Sequence, residues 1–129
     1  MDKIKQSLET GRIFNHADFS GQDLSYRDFS DASLIDASMS GADLYGANFS
    51  GADCWDANFS GANLFSANFS DANLYGANLS GANLSGADLC GANLDDANLT
   101  GANLALVKID ESTIIDAKWI KNENVRWND

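Results

Sequence analysis

Residues 42–104 read ADLYG ANFSG ADCWD ANFSG ANLFS ANFSD ANLYG ANLSG ANLSG ADLCG ANLDD ANLTG ANL. Every fifth residue is Leu or Phe, with Cys54 as the exception. Ala stands two places before it, and Asn or Asp lies between. Stepping outward by five keeps the beat: Phe14, Phe19, Leu24, Phe29, Leu34 and Met39 on one side, then Ile109, Ile114 and Trp119 on the other. Repeats of this kind govern the fold and are read before anything else.

Neither regular period can bury such a pattern. On an α-helix, five steps advance the face by roughly 140°, so the apolar residues would spiral around the surface. On a long strand five is odd, and successive centres would point to opposite faces. The chain must turn once per repeat, so that each Leu or Phe returns to one axis. Short extended pieces joined by turns do this, and coils stacked ~4.8 Å apart pair their backbone groups with one another. Ala at the second inward position leaves room for the large residue. The pattern predicts an all-β solenoid.

These residues resemble the pentapeptide-repeat family, whose motif is A(D/N)LXX, over nearly the whole chain. The resemblance implies a right-handed, quadrilateral parallel β-helix with four repeats, or about twenty residues, per coil. It implies about five coils and a rod on the order of 26 Å tall.

The ends depart from the motif. Residues 1–11, MDKIKQSLETG, place Ile4 and Leu8 on one helical face ahead of Gly11, which predicts a short N-terminal helical cap. Residues 12–121 form the predicted β-helix, and 122–129 a C-terminal cap or tail carrying Val125 and Trp127. Such a tail serves a monomer or an end-to-end homodimer equally well. Arg12, Gln22 and Arg27 stand where Ala is expected. They imply either a wider first coil or side chains that reach solvent at the open end.

Composition narrows the function. A net charge of −11 argues against direct binding to nucleic acid or to an anionic membrane, both of which need basic patches. No charged-then-apolar leader opens the sequence, and no apolar run approaches the roughly eighteen residues of a membrane span. Two cysteines, Cys54 facing inward and Cys90 outward, fit a reducing compartment. The expected location is cytoplasmic.

With twenty residues per coil, the positions sort into columns. Phe29, Phe49 and Phe69 form a like-on-like ladder in the core. Just after the centres, two outward columns are bland, with Ser20, Ser40, Ser60 and Ser80 in one and Ser30, Ser50 and Ser70 in the other. The remaining two carry Ile35, Trp55 and Tyr75 on one side and Tyr45 with Phe65 on the opposite side. Contiguous exposed apolar side chains mark interaction surfaces. Asp36 and Asp56 lie beside the first stripe, with Asp96 further along and Gly76 interrupting the column. Ile35, Trp55, Tyr75, Asp36, Asp56, Tyr45 and Phe65 are therefore the candidate partner-binding residues.

Catalytic chemistry is not visible. His16 is the single histidine and has no Cys or Glu pattern around it. The glycines recur as repeat corners rather than as phosphate-cradling motifs, and the GGxGxD calcium nonapeptide is absent. A regular solenoid without an inserted loop offers no concave pocket to exclude water. The expectation is a non-enzyme without cofactor or metal, acting as a binding or scaffold module for an unidentified protein partner. The resemblance supplies an alternative. Some members of the family resemble duplex DNA in shape and charge, and inhibit or protect a type II topoisomerase (DNA gyrase).

Overall fold

The computed structural model describes residues 11–120 and 125–127. Its backbone pairs in parallel at single residues twenty positions apart, from Ile13 with Ser33 through Asp88 with Lys108. A turn and a bridge every five residues, each bridge joining residues twenty apart, give each coil four sides.

One repeat shows why the unit is five residues long. In residues 47–51, Ala47 N–H donates to Leu44 O across the turn at 3.0 Å. Asn48 N–H reaches back one coil to Arg27 O at 2.9 Å. Phe49 N–H reaches forward to Asn68 O at 2.6 Å, and Gly51 N–H to Ser70 O at 2.9 Å. The fifth donor, Ser50 N–H, goes to the Asn48 side chain at 2.9 Å. Every backbone donor of the repeat is thereby satisfied, as burial requires. The Asn or Asp before each centre is thus an Asx turn that closes the corner.

The second corner residue has positive φ, from 55° to 75° throughout the regular coils. A positive φ there, with the N–H of the residue after it closing the turn, is a type II turn. Gly, and Asp next, suit that conformation because it costs most side chains energy.

Alanines and centre residues together fill the axis, and those from Leu34 to Leu94 are almost wholly inaccessible. The phenylalanine ladder is present: Phe29 stacks on Phe49 at 5.1 Å and Phe49 on Phe69 at 4.8 Å, with planes within 7°. Phe59 meets both Phe49 and Phe69 edge to face. Such pairs add about 0.5–1.5 kcal/mol each beyond their burial.

The first coil keeps full register, so it is not wider. Gln22 and Arg27 are exposed at its rim, while Arg12 folds back and donates Nε to Ser30 O at 2.8 Å. The predicted N-terminal helical cap, residues 1–11, lies outside the described residues except for Gly11. Of the C-terminal cap, 122–124 and 128–129 also lie outside them. Within the tail, strand β2 (Arg126–Trp127) pairs in parallel with β1 (Lys108–Ile109) and covers that edge.

One expectation is corrected. The five-residue register does not run on to Ile114: Asn93 pairs with Ile114, where the rule requires 113. Ile114 is therefore turned outward, 54% exposed, and Ile115 packs against the core in its place. The cause is the turn after Ile109, which starts one residue late. Thr113 N–H closes on Asp110 O, and the Thr113 hydroxyl donates to Leu89 O at 2.9 Å. Beyond it, a short 3-10 helix spans Ala117–Trp119, capped by the Asp116 side chain on Lys118 N–H. No helix among the described residues is long and apolar enough to cross a membrane.

Candidate functional site

The outward residues stand on a rigid frame, so the faces can be compared directly. Ile35 and Tyr75 are half-buried, and Trp55 between them is 41% exposed. Tyr75 Oη donates to Asp96 Oδ2 at 2.9 Å. That bond, then the charge of Asp96, pushes the phenol above its usual range. Tyr75 is thus tied down to the next coil rather than offered outward.

Beside this stripe, His16 Nδ1 lies 3.8 Å from Asp36 Oδ2. The Asp56 carboxylate lies in the space that a β-carbon at Gly76 would occupy. Asp31 over Gly51 and Asp71 over Gly91 repeat the arrangement. The interruption at Gly76 thus has a packing reason: the Asp56 side chain leans onto the next coil, and the glycine there leaves it room. Among the described residues no three His, Cys, Asp or Glu side chains gather as a metal site.

The opposite face is more continuous. Tyr45 stacks on Phe65 at 5.4 Å with planes 10° apart. Tyr26 extends the row, meeting Tyr45 edge to face at 5.4 Å. Tyr26 is 71% exposed, Tyr45 36% and Phe65 37%. Tyr26 was not among the residues chosen from the sequence, because it occupies a corner position rather than the column of Tyr45. Its φ of 61° is a left-handed value that a bulky residue adopts at a cost of about 1–3 kcal/mol. The corner beneath it is Gly46, where a β-carbon would lie 2.8 Å from Tyr26 Cε1. A large side chain followed twenty residues later by glycine was the legible signal. Partial desolvation, then the neighbouring Tyr45, raises the Tyr26 phenol above its ordinary value.

The late turn after Ile109 also opens a concavity that a regular solenoid lacks. A cleft of about 430 Å³ lies between the last regular coil and the 3-10 helix, lined by Leu94, Asp96, Ile115, Asp116, Lys118 and Trp119. Lys118 Nζ already sits 4.8 Å from the Trp119 ring and 4.0 Å from Asp116. No nucleophile paired with a base lines the cleft. Cys54 is buried in the core, which pushes its thiol far above the usual range.

A family model for pentapeptide repeats matches residues 13–51, 42–81 and 67–105 with eight copies. The chain belongs to the pentapeptide-repeat family. Membership carries the right-handed parallel β-helix that the bridges describe. A pentapeptide repeat protein of the Arabidopsis thaliana thylakoid lumen is similar at 34% identity and a TM-score of 0.63, covering 88% of this chain and 75% of that one. HetL, a pentapeptide repeat protein involved in heterocyst differentiation regulation in the cyanobacterium Nostoc, is 29% identical, with a TM-score of 0.41 over 76% of this chain and 59% of HetL. A second pentapeptide repeat protein from Nostoc is 26% identical, with a TM-score of 0.44 over 97% and 92% of the two chains. No curated protein matches the chain.

Proposed function

We propose that this chain is a non-catalytic protein-binding module of the cytosol that offers one flat lateral face to a partner. The observation that carries this reading is the Tyr26, Tyr45 and Phe65 row: three contiguous exposed rings on a frame whose backbone bonds are already satisfied. Contiguous apolar surface of this kind is what monomeric proteins avoid unless they use it. The rigid frame lowers the ordering cost of binding. Cys54 and Cys90 are not joined by a disulfide, which fits a reducing compartment. Of the two faces marked by the sequence, the geometry favours Tyr45 and Phe65 over Ile35, Trp55 and Tyr75 with Asp36 and Asp56, since Tyr75 is occupied by Asp96.

The test is capture from native cytosol by immobilised protein. Replacing Tyr45 and Phe65 together with Ser should abolish capture while circular dichroism and the urea midpoint show an intact fold. Replacing Trp55 and Tyr75 should leave capture in place. Capture that survives the first pair removes this face.

The second reading is a DNA-mimicking inhibitor or protector of a type II topoisomerase (DNA gyrase). It draws on the corner carboxylates, of which Asp31, Asp56 and Asp71 lie over glycines and Asp96 holds Tyr75. Carboxylates drawn onto the rod surface make a poor copy of projecting phosphates. A gyrase supercoiling assay at varied salt tests it, since competition by mimicry weakens as screening rises.

A further inference from the structure

We propose that the partner presents an arginine side chain to the Tyr26, Tyr45 and Phe65 row, where the outer oxygens of Asp23 and Asp43 receive its guanidinium. The inference rests on the face assigned above and names the chemistry that face selects.

Asp23 and Asp43 bridge in consecutive coils, immediately before the corners of this face. Each commits one oxygen to its corner. Asp23 Oδ1 accepts Ser25 N–H at 3.1 Å and Ser25 Oγ at 2.8 Å. Asp43 Oδ1 accepts Tyr45 N–H at 3.2 Å and Asn63 Nδ2 at 3.2 Å. The Oδ2 atoms of both have no partner among the described residues. Asp43 Oδ1 holds the Tyr45 N–H, and the charge of Asp43 reaches the Tyr26 phenol, so this carboxylate stands beside the row. The result is a pair of stacked carboxylates alongside the aromatic row, whose outermost ring, Tyr26, is the most exposed.

That combination suits a guanidinium better than an ammonium. A planar cation stacks on an aromatic face while its in-plane N–H groups reach two carboxylate oxygens. The protein's charge of −11 favours a cationic visitor. Among the described residues, the charge of the exposed Arg27 reaches Asp23, but the two make no ion pair within 4 Å.

Tyr26 supplies an independent argument. Tyr26 stands in a left-handed corner of the kind that Gly or Asp fills in most other repeats, so its ring is held outward on the surface at a conformational cost. If its role were packing, Gly at that corner would weaken the fold. If its role is recognition, Gly relieves the strain and removes the binding.

The experiment titrates the intact protein with a synthetic Gly-Arg repeat peptide at low ionic strength, followed by calorimetry and by ring-proton shifts in NMR. Binding should weaken about tenfold or more in Tyr26→Gly and in Asp43→Asn, which keeps the turn acceptor that Asn supplies in neighbouring repeats. Asp56→Asn, on the opposite corner, should bind within about twofold of wild type. A Gly-Lys peptide should bind several-fold more weakly than Gly-Arg. Thermal unfolding of Tyr26→Gly should match or exceed wild type; if that variant is destabilised, Tyr45→Ser carries the binding test. The inference is overturned if Asp56→Asn weakens binding as much as Asp43→Asn does, which marks diffuse charge attraction. Equal binding of the two peptides, no binding at all, or self-association in place of peptide binding also overturns it. Loss of capture in the Tyr45 and Phe65 variant without any arginine peptide binding would retain the face and discard the cation. Capture and peptide binding both indifferent to the face would discard both.

Discussion

The regular coils and the segment after Ile109 are built from the same kinds of residue, yet only the first is interchangeable from one repeat to the next. From Leu34 to Leu94 each side repeats one set of backbone bonds, and its centre is fully enclosed from above and below. After Ile109 a side-chain oxygen replaces a backbone one. Gly91 N–H, which by the rule should meet Asp110 O, donates to Asp110 Oδ1 at 3.2 Å. That exchange lets the turn start late, turns Ile114 out, and leaves a cleft where the coils had none. Regularity produces flat faces, and concavity enters where it lapses.

The comparison can be broken most forcefully in the ring ladder. Phe49→Ala should cost about 3–5 kcal/mol in urea unfolding, because the coils on either side cannot collapse into the void. Ile115→Ala, at the half-covered end, should cost about 1 kcal/mol. Comparable losses would mean that the terminal segment is as integral as the middle.

Corners come next. Gly76→Ala should cost about 2 kcal/mol or more, through its φ of 69° and the Asp56 carboxylate above it. Gly61→Ala, with open space around it, should cost about 1 kcal/mol. Adding Asp56→Gly to Gly76→Ala should recover most of the difference, and a purely additive double variant would refute the leaning contact. At the late turn, Thr113→Val should cost about 1 kcal/mol by removing the donor to Leu89 O. Native-state hydrogen exchange should show opening confined to the neighbouring amides.

Acid should have the mildest effect. Asp23, Asp28 and Asp110 are held below the usual carboxylate range, chiefly by the hydroxyls of Ser25, Ser30 and Ser112. A carboxylate lowered by folding stabilises the native state above its unfolded pKa of about 3.9 and loses that contribution as pH falls through its folded value. The urea midpoint should therefore hold level from pH 7 to about 5 and decline below about 4. A decline that begins near neutrality would point to other groups.

The solenoid was legible because a five-residue spacing of large apolar residues requires a turn in every repeat. The column sorting that put Phe29, Phe49 and Phe69 together, and Tyr45 with Phe65, also needed the four repeats per coil that the family resemblance implied. What it could not supply were features that depend on which atom fills a hydrogen bond. The Asn and Asp positions gave no sign of their turn-closing role until Ser50 N–H was seen on Asn48 Oδ1. The shift at Ile114 was hidden because VKIDE and STIID still place an apolar residue at each fifth step, and Ile115 stands beside Ile114 to receive the shift. Tyr26 escaped because the corner column was read only on the side of Asp36 and Asp56, whereas its ring reaches Tyr45 from the corner of the opposite side.

Since every side closes its backbone bonds in the same way, the frame is indifferent to which of its four walls a given repeat belongs to, while the decoration is not. Splicing in a single pentapeptide would swing everything beyond it by a quarter turn, parting Tyr45 from Phe65 and setting Asp56 above a new neighbour. Splicing in twenty residues would lengthen the rod and leave each wall intact. Change in length thus has a natural quantum in this molecule, and the surface it displays can be extended only in whole coils.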